Sequence, residues 1–567
     1  MDPITVEVLK GALTYTTEEM GIALRNSAYS PNIKERMDFS CTLFDHKRRL
    51  AAQAEHIPVH LGSMQLAVQN GLQGFEGKMD EGDMILLNDP YISGTHLPDL
   101  TLICPIFFGN EIVAYSANKA HHSDVGGKAP GSMAGDATEI YQEGIIIPPV
   151  KFVKNNVIDR EIADIVLSNV RTPEVRLGDL RAQMAANLLG KRRILEVIDR
   201  YDARTLCRAV EEIMDYSEQR VKAKIKEMPK RTYTAQDCLE NTGTSNRRVK
   251  IKVAVTIEPD SLLIDYTGTD EQVEGPVNAV LGVTLSGVYY VLRCLTDPSI
   301  PMNEGSTRPI RVHVPEGSLM NPVPPAPVAG GNVETSQRNV DVLLKVFAQL
   351  IPEKVCAACQ GTMNNVAVGG TDLMTGKQWT FYETIAGGFG GRRDMDGVNA
   401  VHSHMTNTMN TPIEAIETTY PIRFLKYELR PDSGGPGRWR GGVGLERSWK
   451  LLAPSAVLSV LGERTKTPPW GLYGGKSGAK GEYFIMKPNG KRLRLKSKCT
   501  VNIEKGDVFI VRTPGGGGYG NPLKRKTDLV LRDVSDGLVS LESAKKDYKV
   551  IVDPHRTKII QRSDEKL

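Results

Sequence analysis

Apolar residues recur at three- and four-residue intervals from the start of the chain, with Leu9, Leu13, Met20 and Leu24 on one face. Asp2-Pro3 supplies a helix start, so a helix to about residue 28 is expected. The period then shortens. Phe39 to Phe44 reads as a strand turned back at Asp45-His46-Lys47, and a helix is expected near 65–77. LTLICPIFF and EIVAYSANKAHH are strand-length runs joined by Gly109-Asn110, the pattern of a hairpin. From about 177 to 228 the pattern is helical, with Glu and Lys/Arg opposite the apolar stripe, and packing is its expected role. Strict alternation at Val249, Ile251, Val253, Val255 and Ile257 marks a strand-rich part beginning near 231. The last third reads as short strands between Gly-rich turns, followed after Pro522 by a charged tail expected to fray over 561–567.

These patterns describe an α+β, multidomain chain with mixed strands and helices, Gly-rich loops and a strand-rich C-terminal part. Residues 1–230 would carry the chemistry and a helical segment. Residues 231–440 would form a central domain with Gly-rich and His-containing loops, and 441–567 a strand-rich domain with a charged tail. A length of 567 residues exceeds one core and fits roughly two to four domains. The net charge of +4 is small for that length, so neither nucleic acid nor a membrane surface is an expected partner. The first twenty residues have no basic region ahead of an apolar core, and no run is long enough to span a bilayer. Eight scattered cysteines point to a reduced, cytoplasmic protein.

Candidate chemistry gathers between residues 88 and 149, where three of the ten histidines lie. His96 and Asp99 flank Leu97-Pro98, and Pro98 stiffens the backbone between them. The hairpin that follows returns His121 and His122 to the same end, beside the sharp turn at Asp124. Imidazoles and a carboxylate at one hairpin end suit a divalent metal with open positions for substrate. Glu35 and Asp38 precede a strand; they serve either the site or ion pairs with Lys34 and Arg36. His56 and His60 straddle Pro58, which argues against a helical metal pair and for a supporting role. Gly330-Gly331-Asn332 before Glu334-Thr335-Ser336 either caps a helix or offers amides to an anion. His402 and His404 would face one side of a strand, ahead of a polar tract suited to a small polar substrate. Asn88 and Asp89 open the His96 loop as further substrate-binding candidates.

Several familiar chemistries are missing. Gly471 to Ser477 is one residue short of a phosphate-binding loop, and Gly387 to Gly391 lacks the dinucleotide spacing. Neither HExxH nor GxSxG occurs. A reaction that needs ATP would need a partner chain to supply it.

Long motifs then carry a resemblance over nearly the whole chain: ERMDFSCTLFD, HIPVHLGSM, NDPYISGTHLPDLTLICPIF, AHHSDVGG, EGIIIPPVK, GGNVETSQR, HSHMTNTMNTPIEAIE, LRPDSGGPGRWRGGVG and GGGGYGNP. The chain resembles the B subunit of the hydantoinase/oxoprolinase family. That resemblance implies a hetero-oligomer with an A-type, ATP-binding subunit that activates a cyclic amide by phosphorylation, while the B subunit completes ring opening of a hydantoin, 5-oxoproline or lactam. A related branch, the acetone and acetophenone carboxylases, forms carbon–carbon bonds, and a non-catalytic structural subunit is a third reading. By the same resemblance His96, Asp99 and His121 hold a divalent metal, manganese or zinc, with Glu35 a further carboxylate near it. Asp38, Asp124 and His122 are the candidate proton-moving groups. Ser93 departs from the family's usual glycine before Gly-Thr-His, which puts the tightness of that turn in question.

Overall fold

The computed structural model describes residues 1–562 except 55, 374, 556 and 557; most of the expected frayed end lies outside the described residues. The first helix runs Pro3–Ser27, and the Asp2 carboxylate accepts the Thr5 backbone N–H at 2.9 Å to start it. Its stripe of Leu9, Leu13, Met20 and Leu24 is buried against the helix Pro173–Tyr201. Gly190 leaves room for the Met20 side chain, since a Cβ there would sit 2.6 Å from the Met20 sulfur.

The strands β1 (Phe39–Asp45), β2 (Leu50–Gln53), β3 (Met84–Leu87), β4 (Asp99–Phe108), β5 (Glu111–His121), β6 (Val150–Lys154) and β7 (Val157–Ile158) form one antiparallel sheet in the order β2-β1-β5-β4-β3-β6-β7. The expected Gly109-Asn110 hairpin joins β4 to β5 near its centre. The helix expected near 65–77 is Ser63–Gly71 and ends before Gly74, whose φ is +83°. The helical stretch at 177–228 is two helices, Pro173–Tyr201 and Ala203–Lys226. Asp202 divides them with a φ of +63°, and its carboxylate caps the second by accepting from Thr205 N–H at 2.8 Å.

A second sheet holds β8 (Thr232–Leu239), β9 (Val249–Ile257), β10 (Leu262–Asp265) and β11 (Ile310–His313). Every second residue of β9 is buried, and the helix Ser336–Phe347 packs on β8 and β9. The later strands are β12 (Asn365–Thr371), β13 (Gln378–Glu383), β14 (Ile422–Leu429), β15 (Leu445–Leu451), β16 (Ser455–Leu461), β17 (Glu482–Met486), β18 (Arg492–Arg494), β19 (Lys498–Glu504) and β20 (Val508–Arg512). They make two sheets, β13-β12-β16-β19 and β14-β15-β20-β17-β18, around a core that includes Phe381, Trp449, Leu458 and Val511. Both sheets take strands from either side of residue 440, so hydrogen-bonded ladders cross the expected boundary there.

The tail is more ordered than its charge pattern foretells. Helices Thr527–Ser535 and Leu541–Tyr548 bury Val530, Val534 and Tyr548 together. Arg525 ties them down by pairing with Asp396 and Asp533 at 2.7 Å each. Among the described residues, no helix is long and apolar enough to cross a membrane.

The Gly-rich stretches pack backbone against backbone. A Cβ on Gly388 would lie 2.0 Å from the Gly442 carbonyl oxygen, and one on Gly475 2.0 Å from that of Gly518. Close approach of four loops accounts for these glycines, and phosphate cradling is not needed to explain them.

Candidate metal centre

The β4–β5 register creates the centre. Asp99 and His121 are direct cross-strand partners at the open end of the hairpin. Cross-strand neighbours point to the same face, so the two side chains converge. His96 lies one tight turn earlier, where the Asp99 N–H donates to the His96 carbonyl at 3.0 Å. The resulting triangle is small: His96 Nε2 to His121 Nδ1 is 3.1 Å, His121 Nδ1 to Asp99 Oδ1 is 3.1 Å, and His96 Nε2 to Asp99 Oδ1 is 3.3 Å. Adjacent ligands on an ion with bonds of ~2.0–2.2 Å lie about 3.0–3.5 Å apart, so the triangle has the dimensions of one face of a coordination shell. All three side chains are buried, and a three-ligand divalent site is the grouping they satisfy.

The electrostatics favour a cation. Burial raises the Asp99 carboxyl, but the surrounding His96, His121 and His60 imidazoles outweigh it and hold the group well below the usual carboxylate range. The atoms that converge are His96 Nε2, His121 Nδ1 and Asp99 Oδ1. Two imidazoles crowding one carboxylate oxygen are a donor set that a divalent ion would satisfy.

Three further residues surround the triangle. His60, on a 3₁₀ turn Pro58–His60, places Nε2 3.5 Å from Asp99 Oδ2 and is anchored by Ser40 Oγ at 2.9 Å from its Nδ1. The supporting role expected of it matches this placement, whereas His56 packs edge-on against Phe39. Tyr382 stacks its ring on His121 with centroids 4.6 Å apart, from β13 and 261 positions along the chain. Lys119, two residues before His121, is buried, which pulls its ammonium down to about 7 against the field of Asp99. It donates to Ser93 O at 2.8 Å, Ser63 Oγ at 3.1 Å and Thr95 Oγ1 at 3.2 Å. Ser93 sits in a helical turn, Pro90–Ser93, while the sharp bend falls on Gly94 with φ +76°, so a serine fits where the family usually has glycine.

The other expected site residues fall in different places. Asp38 is close: its carbonyl accepts from His121 N–H at 3.0 Å; burial lowers the His60 imidazole against the opposing charges of Asp99 and Asp38, and burial raises the Tyr382 hydroxyl with a smaller push from Asp38. Glu35 is half-buried at the end of the short helix Pro31–Lys34, outside the converging donor set. His122 points the other way, with Nε2 2.9 Å from Gln183 Oε1, and burial lowers it to about 4. Asp124 accepts from Gly126 N, Gly131 N and both Arg171 N and Nη1 at 2.9–3.1 Å, which folds the 124–131 loop. Asn88 is likewise engaged, donating to Leu97 O and Ile145 O and accepting from Ile147 N. Asp89 caps the turn at Tyr91, and burial raises its carboxyl. His402 and His404 are on a loop, not the expected strand, and His404 has φ +54°. His402 lines an open cavity of about 620 Å³ with Asn407, Thr408 and Asn410. His404 is buried against Tyr290 and Phe389, and burial lowers both histidines, to about 3 and about 4.

The Gly330-Gly331-Asn332 stretch forms a π-helical turn, Gly331–Thr335, that leads into Ser336–Phe347. Such turns interrupt helices frequently at functional positions. Glu334 within it is fully buried; burial pushes its carboxyl up to about 8 against a Thr362 hydrogen bond and the Lys498 charge. Because this value exceeds the ordinary 4.5, the folded chain binds more protons than the unfolded chain between the two, and stability falls as pH rises through that window. Glu334→Gln is expected to flatten the decline of the thermal midpoint between about pH 5 and pH 8. An unchanged slope in differential scanning fluorimetry contradicts the assignment.

The Hydantoinase B/oxoprolinase family model matches residues 2–522. The chain belongs to the hydantoinase B/oxoprolinase family. It is 47% identical to an uncharacterized protein of Methanocaldococcus jannaschii, over 100% of this chain and 98% of that one. It is 35% identical to a putative D-/L-hydantoinase B subunit of a Pseudomonas species, over 97% and 95%. It spans about two fifths, 41%, of the Dictyostelium discoideum 5-oxoprolinase, at 36% identity and 93% of its own length. The ATP-dependent caprolactamase of Pseudomonas jessenii has the same α+β architecture, with a TM-score of 0.92 and 29% identity over 100% of this chain and 98% of that one. Acetone carboxylase shares the fold at a TM-score of 0.91 and 20% identity, over 98% and 80% of the two chains.

Proposed function

We propose that this family member is the B subunit of an ATP-dependent cyclic-amide hydrolase that opens a hydantoin, 5-oxoproline or lactam ring, with ATP bound by an A-type partner subunit. The observation that carries the reading is the buried His96–Asp99–His121 triangle; the relatives' names supply the reaction class. The three side chains would hold a divalent ion, manganese or zinc, and a bound ion there supplies Lewis-acid polarisation of a carbonyl or of a phosphorylated oxygen. Asp99 contributes the single anionic donor of the triangle. Ser40 anchors His60, whose Nε2 faces the second oxygen of that carboxylate, and Tyr382 stacks on the His121 ring. Asp38, with its backbone tied to His121 and its carboxylate near His60, is the group placed to move a proton. Asp124, Asn88 and Asp89 hold the loops that present the ligands, and His122 and Gln183 pin the strand end. Glu35 and the His402 cavity lie outside the converging donor set.

The test is to purify the complex with its A-type partner and measure ATP turnover with hydantoins, 5-oxoproline, lactams and ketones in the presence of labelled bicarbonate. Ring-dependent ATP hydrolysis with matching ring opening is expected. Ketone-dependent fixation of the label would instead assign the chain to carboxylation, and turnover untouched by mutation of the triangle would leave it a structural role.

A further inference from the structure

We infer that a basic cavity between the β8–β9 loop and the β17–β18 hairpin binds a small molecule carrying a di- or triphosphate. The cavity has a volume of about 700 Å³, within the roughly 300–1,000 Å³ usual for small-molecule sites. It shares no lining residue with the His402 cavity and includes no member of the His96–Asp99–His121 triangle. The inference therefore needs neither a metal nor a ring substrate.

Four cations line the cavity, Lys466, Lys480, Arg494 and Lys496, against one carboxylate, Glu482. That carboxylate already faces Arg430 and Arg512 at 3.7 Å each. Lys466 Nζ meets only the Asn246 amide oxygen, at 3.5 Å. The side chains of Lys480, Arg494 and Lys496 have no hydrogen bond or ion pair among the described residues, and all three are exposed. Backbone alternation gathers them: Lys480 and Glu482 are two apart on the lead into β17, and Arg494 and Lys496 two apart at the end of β18, so each pair projects to one face. Like charges around a concave wall focus the potential and draw in multivalent anions. A surplus of this size matches a pyrophosphate or triphosphate group better than orthophosphate. The hydroxyls of Thr244, Ser245 and Thr465 stand among the cations as donors to phosphate oxygens.

The walls are held from behind. Buried Glu240 accepts the backbone N–H groups of Thr465 at 2.9 Å and Lys466 at 2.8 Å, which fixes that side. Asn241 Nδ2 donates to Ser497 Oγ at 2.8 Å while its Oδ1 accepts the Gly243 N–H at 3.0 Å, tying the β8–β9 loop to the chain just after β18. The next residue, Lys498, is buried in its pair with Glu463. Three backbone segments are therefore set in place, and binding orders only the cationic side chains.

The full chain, without its partner and in EDTA, is titrated calorimetrically with inorganic pyrophosphate, orthophosphate, citrate and ATP. Pyrophosphate is expected to bind at least about tenfold more tightly than orthophosphate or citrate. Arg494→Ala combined with Lys496→Ala is expected to weaken pyrophosphate at least about tenfold at an unchanged thermal midpoint. Lys491→Ala, on the same hairpin but outside the cavity, is expected to leave affinity unaltered. Displacement of pyrophosphate by ATP supports the site as one for nucleotides, and pyrophosphate binding that ATP does not displace supports it as one for a smaller diphosphate. Citrate binding as tight as pyrophosphate, no binding of pyrophosphate, or full affinity in the double variant overturns the inference.

Discussion

Asp99→Ala, loaded with manganese or zinc beside the unaltered chain, is expected to retain less than about a tenth of the native metal and to lose ring opening by at least about 100-fold. The size of the effect follows from charge. Asp99 is the only anionic donor in a triangle whose other members are imidazoles, and it is already held ionised by His96, His121 and His60. Without it, two neutral nitrogens face a divalent ion in a dry site. His60→Ala is expected to be milder, at about 10–100-fold, because it touches only the second oxygen of that carboxylate. Metal content by plasma mass spectrometry, measured alongside turnover, separates the two. Native metal content in Asp99→Ala would contradict the site.

The second large effect concerns stability. Glu463, two residues beyond β16, is fully buried and pairs with Arg338 at 3.0 Å and with Lys498, while accepting the Glu240 backbone N–H at 3.1 Å. It thereby ties the helix Ser336–Phe347 and the end of β8 to β19. Glu463→Gln removes the anion and leaves buried cations without it, at a cost of about 3–5 kcal/mol. Urea unfolding should show this as an earlier first transition, with faster amide exchange in Ser336–Phe347 than elsewhere. A midpoint change worth less than about 1 kcal/mol would show that Asp237, also paired with Arg338 at 3.3 Å, suffices alone.

The triangle was legible because its determinants are local. Pro98 stiffens the link from His96 to Asp99, Gly109-Asn110 sets the hairpin turn, and strand lengths bring His121 opposite Asp99. Tyr382 was not legible, since a sheet 261 positions away supplies it and no periodicity records tertiary packing across that distance. His60 was half legible: Pro58 excluded a helical pair, and the 3₁₀ turn then placed a single histidine behind Asp99. Alternation around Ser403 pointed to a strand, but the positive φ of His404 and the tie from Gln337 to Ser403 O hold a loop instead. Likewise the charged spacing after Pro522 concealed a small folded end, because its core rests on a few valines and Tyr548 rather than on a continuous stripe.

X-ray absorption at the K edge of the bound ion measures the central claim most directly. The expected spectrum has two imidazoles and a low-Z oxygen donor at about 2.0–2.2 Å, with the imidazole multiple scattering reduced by half in His121→Ala. A first shell containing sulfur, or one with no imidazole signature that the substitution leaves unchanged, would place the ion elsewhere and contradict the account.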